Sequence, residues 1–180
     1  MSERTLPKQL QSAVAFHGHL CPGLLIGYRA ALIALDRLGG DRAEDEELIA
    51  IVENDSCSVD GIQFLTGCTF GKGNLFFRDH GKQVFTVARR PGGSGVRIAL
   101  RPGVLEGKER ESLVEELLER RDDELFTIET AAINLPGEAE IHQSVLCEEC
   151  GEAVMQTRTR ILGGKVVCIP CAEGRKTQKE

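Results

Sequence analysis

The chain has 180 residues, of which 41% are hydrophobic and 28% charged, and its formal net charge at pH 7 is −6. This length supports one domain with a sizeable core and a small appended module. Aromatic residues make up only 4% of the chain. We therefore expect an aliphatic core and few partners for base stacking on single-stranded nucleic acid.

The charge is unevenly distributed. Residues 147–180 carry a net charge of +1, from six Lys/Arg and five Asp/Glu, and the remaining residues carry −7. An acidic main domain disfavours phosphate binding, so we expect no nucleic-acid partner. The N-terminus is polar and lacks a signal-peptide pattern. The longest apolar stretch, Leu20 to Leu35, is interrupted by Pro22 and Arg29 and is too short to span a bilayer, so we expect a cytoplasmic protein that binds no membrane.

Hydrophobic patterning predicts the following elements in chain order. Helices are expected over 6–16, 22–38, 56–66 and 108–121, and strands over 48–53, 96–101 and 125–131, together with a hairpin of 75–79 and 83–89 around His80-Gly81. Pro22 suits the first turn of the second helix, and Gly39-Gly40 ends it. Small residues including Gly23 and Gly27 form a stripe on that helix, where another backbone is expected to approach closely.

The C-terminal cysteines have the spacing of a zinc ribbon. Cys147-x2-Cys150 and Cys168-x2-Cys171 flank a predicted hairpin that turns at Gly163-Gly164. Four thiolates leave no open position on a tetrahedral ion, so the predicted Zn²⁺ site is structural. The alternative is two redox dithiols. We divide the chain into a core domain over 1–140, the ribbon over 141–174 and a polar tail over 175–180.

A second set of metal or thiol residues lies near the N-terminus. The segment FHGHLCPG places His17, His19 and Cys21 directly before a helix start, whose dipole favours a thiolate at Cys21. Cys57 follows a buried strand at the start of the next helix. Mixed imidazole and thiolate donors predict a second Zn²⁺ or another divalent metal. The expected ligands are His17 or His19 together with Cys57, with Cys21 as second choice; scattered core cysteines are the alternative.

The glycine-rich segment GCTFGKGN, residues 67–74, is similar to a phosphate loop but lacks its spacing, and Gly73 replaces the magnesium-binding Ser/Thr. It is either an anion nest or a tight loop that needs glycines for positive φ. Lys72 is a candidate for holding an anionic group or stabilising a thiolate. Asp60 and Glu53 either orient an imidazole or are solvated surface charges, and we favour the second interpretation.

The chain closely resembles the FmdE family of formylmethanofuran dehydrogenase proteins over residues 10–135. The motifs that carry the resemblance are FHGHLCPGLLIGYRAA (16–31), Glu53 with Cys57, Asp60 and Gln63, TGCTFGKGNL (66–75) and Asp79-x-Gly81-Lys82. The resemblance implies an α+β core with a small mixed or antiparallel sheet and packed helices. It also implies a homodimer, an anaerobic prokaryotic setting, and a common groove lined by His17, His19, Cys21 and Cys57. Gly61 stands where the family has Ala, and we expect it to loosen its helix slightly.

The resemblance further implies association with a molybdenum or tungsten enzyme that acts on formylmethanofuran. The chain lacks the clustered cysteines of a [4Fe–4S] relay, so we expect an accessory or regulatory protein and not the catalytic component. One alternative is a stand-alone metal- or thiol-dependent enzyme on a small anionic substrate, with His17, His19, Cys21, Cys57 and Lys72 as candidate catalytic residues. The other is a zinc-ribbon adaptor related to transcription.

Overall fold

The computed structural model describes residues 6–174 and divides the chain into two compact units, one ending at Ala139 and the other beginning at Glu140. The predicted polar tail, 175–180, lies outside the described residues. The first unit contains α1 (Lys8–His17), α2 (Pro22–Leu38), β1 (Leu48–Val52), α3 (Ser58–Thr66), β2 (Leu75–Phe77), β3 (Val84–Arg89), β4 (Ser94–Leu100), α4 (Arg110–Glu119), α5 (Asp122–Leu125) and β5 (Phe126–Ala132). The predicted α+β class is confirmed.

The five strands form one mixed sheet in the order β2-β1-β3-β4-β5. β1 and β2 are parallel, and the other neighbours are antiparallel. The predicted hairpin of 75–79 with 83–89 is therefore wrong, because β1 lies between its two strands. The connecting segment crosses the end of β1: Arg78 N–H donates to Val52 O at 2.9 Å, and Lys82 N–H donates to Glu53 O at 2.9 Å.

Helix α2 lies at the centre of the first unit. Five consecutive residues, Leu24 to Tyr28, are buried, so neighbours surround the helix on more than one face. It packs against α3, α4 and β4. As predicted, Pro22 occupies the first turn, and Gly39 ends the helix in the left-handed conformation with φ 62°.

Helices α2 and α3 approach each other so closely that two glycines are required between them. A Cβ added to Gly27 would lie 1.8 Å from Ser58 O, and one added to Gly61 would lie 2.4 Å from Tyr28 N. The predicted small-residue stripe therefore does contact another backbone. Gly61 was expected only to loosen its helix, but its missing side chain is what allows the helices to pack.

The second unit consists of two short hairpins and a terminal helical turn. Its elements are β6 (Ser144–Leu146), β7 (Ala153–Met155), a 3₁₀ turn (Gln156–Arg158), β8 (Thr159–Leu162), β9 (Lys165–Cys168) and α6 (Ile169–Ala172). β6 pairs with β7 and β8 with β9, both antiparallel. The predicted hairpin is confirmed, and both glycines of its turn have positive φ. Among the described residues, every helix is too short or too polar to cross a membrane.

We predict that Gly27→Ala lowers the free energy of unfolding by about 3 kcal/mol, because the new methyl group meets a rigid carbonyl and not a movable side chain. Urea titration followed by circular dichroism measures the change. Gly137→Ala is the matched control, since a Cβ there meets nothing within 4 Å. Equal stability of the two variants would contradict the close contact between the helices.

Candidate metal centres

The ribbon cluster consists of Cys147, Cys150, Cys168 and Cys171. Their four sulfur atoms all lie within 4.8 Å of one another. The Sγ atoms of Cys150 and Cys168 are 3.9 Å apart. Zn–S bonds of about 2.3 Å in a tetrahedron place sulfurs about 3.8 Å apart, so the donors fit one zinc ion.

The ribbon backbone donates to the Cys147 sulfur. The N–H of Cys168 lies 3.2 Å from Cys147 Sγ, and Gly151, with φ 75°, completes the first turn. N–H groups of Cys150 and Cys168 lower the pKa of Cys147 to about 6. The hydrogen bond with the Cys168 thiol raises the pKa of Cys171. A cation between the sulfurs is therefore needed to hold all four as thiolates.

The core cluster consists of His17, Cys21 and Cys57, whose ligand atoms lie within 4.8 Å of one another. His17 Nε2 is 3.7 Å from Cys21 Sγ. Its other nitrogen, Nδ1, is 2.7 Å from Asp60 Oδ2. Because a carboxylate can only accept, Nδ1 carries the proton, and the Nε2 lone pair faces the thiol. This is the carboxylate–histidine pairing that orients metal-binding imidazoles.

The ends of three helices bring the core cluster together. His17 is the last residue of α1, and Cys21 is the N-cap of α2, where its sulfur accepts from Leu24 N–H at 3.3 Å. Cys57 is the N-cap of α3. A Cβ on Gly23 would lie 2.9 Å from Cys57 Cβ, so the start of α2 has space for Cys57 only because residue 23 is glycine.

The Cys57 thiol is solvent-accessible, and its neighbours favour the protonated form. Partial burial raises the pKa of Cys57, and the adjacent Cys21 adds to the shift. The helix-start position alone predicts a readily ionised thiol. The structure shows that, in the absence of a cation, burial and the second sulfur outweigh the helix terminus.

Both clusters lie in parts of the chain that match known protein families. The family model described as "FmdE, Molybdenum formylmethanofuran dehydrogenase operon" matches residues 16–158. This chain belongs to the FmdE family. A second model, the prokaryotic dksA/traR C4-type zinc finger, matches residues 141–176. Together with the four-sulfur geometry, it supports zinc binding by the ribbon cluster.

Two relatives extend the comparison. The crystal structure of an FmdE-like protein of tungsten formylmethanofuran dehydrogenase from Syntrophus aciditrophicus superposes with a TM-score of 0.68 and 25% identity, covering 92% of this chain and 90% of that one. A curated protein from Archaeoglobus fulgidus, named "Probable S-adenosyl-L-methionine-binding protein", is 30% identical over 198 aligned positions and 93% of this chain. The chain spans about half of that relative, 53% of its length.

The remaining predicted site residues of this FmdE chain lie outside the core cluster. The His19 ring is exposed and stacks on His17, with ring centroids 4.7 Å apart. Lys72 Nζ donates to the carbonyl oxygens of three consecutive residues, 43 to 45, at 3.1–3.3 Å. The ammonium predicted to hold an anion therefore fastens the glycine-rich loop instead.

Residues 67–74 form a tight loop. Thr69 N–H donates to Asn74 Oδ1, Lys72 N–H donates to Thr69 Oγ1, and Gly73 N–H donates to Phe70 O. Gly67 and Gly73 have positive φ. Since these N–H groups have partners within the loop, the geometry favours the interpretation in which glycines shape the backbone over the anion nest.

Two carboxylates that the sequence favoured as solvated surface charges each bind a histidine. Asp60, whose side chain is 37% exposed, orients His17. Glu53 Oε2 lies 2.9 Å from Nδ1 of His80, a histidine outside the predicted site. The spacing offers a signal for Asp60, which lies one helical turn after Cys57 and so shares its side of α3.

We predict that the Cys147→Ser/Cys171→Ser double variant loses one zinc equivalent and that its second unit becomes protease-sensitive, because a module this small depends on metal for folding. Elemental analysis and limited proteolysis measure both effects. His142→Ala, in the same unit but outside the ribbon cluster, is expected to keep its zinc. Full zinc content in the double variant would contradict the assigned ligands.

Proposed function

We propose that this protein is a metal-binding accessory or regulatory component of a molybdenum or tungsten formylmethanofuran dehydrogenase-type system. The observation that carries the proposal is the core cluster, where an imidazole backed by Asp60 faces two cysteine sulfurs. Family membership supports the link to the formylmethanofuran enzyme. We further propose that the protein acts in the cytoplasm as a homodimer.

The donor set of the core cluster fits zinc or a similar borderline divalent ion. One imidazole nitrogen and two thiolates suit such an ion better than Mg²⁺ or Ca²⁺. Three protein ligands leave a fourth position for water or a substrate atom, unlike the ribbon with its four. When bound, the ion would act as a Lewis acid there. Asp60 fixes the His17 ring, Cys21 supplies the buried sulfur, and Cys57 supplies the accessible one.

An accessory role is favoured over the dehydrogenase itself because the cysteines are already allocated. The chain has seven. Four form the ribbon cluster, and two belong to the core cluster. Cys68 is fully buried, and burial raises its pKa to about 11. None is left to ligate the iron–sulfur clusters that relay electrons in redox enzymes.

The second candidate is a stand-alone enzyme, and the open fourth position of the core cluster favours its metal-dependent form. The form in which Cys57 is a free thiolate nucleophile is less well supported, since burial and Cys21 raise the pKa of Cys57. The adaptor alternative has weaker support. The Arg158 and Arg160 guanidinium groups hydrogen-bond to neighbouring backbone carbonyls of their own hairpin.

We predict two zinc equivalents per chain in the purified protein and one in the His17→Ala and Cys57→Ser variants. Asp60→Asn is expected to weaken core-metal affinity about 10–100-fold, because the imidazole loses the carboxylate that orients it. Elemental analysis and chelator competition give the two readouts. Cys68→Ala is the matched control and keeps both equivalents. One equivalent in the unmodified protein would refute the core site.

We predict that the tagged protein, expressed in its native host, co-purifies with molybdenum or tungsten. The eluate is assayed by elemental analysis together with mass spectrometry of the bound proteins. The Cys147→Ser/Cys171→Ser variant tests whether the ribbon makes the contact, since its loss is expected to lower the recovered metal severalfold. Neither metal in the eluate of the unmodified protein would count against the proposed association.

A further inference from the structure

A groove of about 290 Å³ opens beside the core cluster. It shares Asp60, the partner of His17, with that site, and its lining includes Ser56, the residue before Cys57. Val52, Val59 and Leu75 supply apolar surface. A ligand in this groove would therefore lie next to the metal site without touching its three ligand residues.

Two exposed phenylalanines form part of the groove wall. Phe70 is 76% exposed and Phe77 46% exposed, although the chain has only seven Phe and one Tyr. Aromatic rings of this size ordinarily bury most of their surface. Two exposed rings lining one groove therefore indicate a surface that a ligand covers.

The loop that carries Phe70 is held firmly while the ring itself stays in solvent. Lys72 Nζ binds three carbonyl oxygens, and the buried Asn74 side chain accepts from Thr69 N–H and donates to Asp45 O and Leu48 O. These contacts fix the backbone on both sides of Phe70. Folding thus orders the loop without burying the ring, which gives the glycine-rich motif a purpose: it presents Phe70.

The charge of the groove is negative. Asp55 and Asp60 line it, and among the described residues of its lining there is no Lys or Arg. Lys72, the nearest candidate cation in the sequence motif, is occupied elsewhere. A divalent ion balanced by two thiolates in the core cluster would leave both carboxylates uncompensated. The groove therefore attracts cations and repels anions.

We propose that this groove binds a small organic cation that carries a flat aromatic ring, such as an arylalkylammonium. The ring packs against Phe70 and Phe77, and the ammonium lies near Asp55 and Asp60. Ring stacking and the attraction between a cation and aromatic faces act together in such a site. The inference rests on the proposed function in that it supplies a ligand class for the core site, and it replaces the anionic substrate expected from the sequence.

The test uses the zinc-loaded, full-length protein and three probes that share one ring: benzylamine, benzyl alcohol and benzoate. Calorimetry and saturation-transfer NMR measure their affinities at fixed ionic strength. Benzylamine is expected to bind about fivefold more tightly than benzyl alcohol, which is the usual size of a partly exposed ion-pair effect, and benzoate more weakly than both. Equal affinities, or no binding of benzylamine, overturn the proposal.

Two variants with matched controls locate the binding. Phe70→Ala is expected to weaken benzylamine about tenfold, whereas Phe16→Ala, an exposed phenylalanine outside the groove, leaves affinity unchanged. Asp55→Asn is expected to remove the preference for benzylamine over benzyl alcohol, whereas Asp41→Asn, an exposed carboxylate elsewhere, preserves it. Equal effects of a variant and its control would overturn the assignment.

Metal content separates this inference from the proposed function. Phe70→Ala and Asp55→Asn are expected to retain two zinc equivalents, because neither residue is a ligand. Benzylamine binding by a protein with a single zinc would refute the core metal site and leave the groove standing. Two zinc equivalents without benzylamine binding would refute the groove and leave the metal site.

Discussion

The contact between the backbones of α2 and α3 is the constraint on which the core site depends. Cys21 caps one helix and Cys57 the other, so the distance between their sulfurs is set by how closely the two helices pack. Gly27 and Gly61 permit an approach that any side chain would block. The glycines therefore act at a distance on the chemistry, by fixing where two thiols meet.

The same arrangement places opposing influences on the thiols. Helix starts favour anions, but partial burial and the closeness of the two sulfurs favour protonated forms, and for Cys57 the second effect is larger. A cation between the sulfurs would reverse that balance. The His17 imidazole, held by Asp60, completes a donor set that suits such an ion and leaves one position open.

The two cysteine clusters thus divide the work of the protein. The ribbon cluster surrounds its ion with four sulfurs and stabilises a module too small to fold by burial alone. The core cluster has only three donors and opens beside a groove with exposed rings and two carboxylates. In that division, one site maintains structure and the other remains accessible to a ligand.

The sequence alone determined the elements that depend on local chemistry. The spacing of Cys147 through Cys171 predicted the ribbon, and Pro22 with Gly39 predicted the bounds of α2, since ligand spacing and helix caps act within a few residues. Only the tertiary structure decided what depends on distant neighbours. It placed β1 between the strands of the predicted hairpin, chose His17 over His19 for the core cluster, gave Lys72 to backbone carbonyls and made Gly61 necessary. None of these has a local signal, because each is set by which segments pack together.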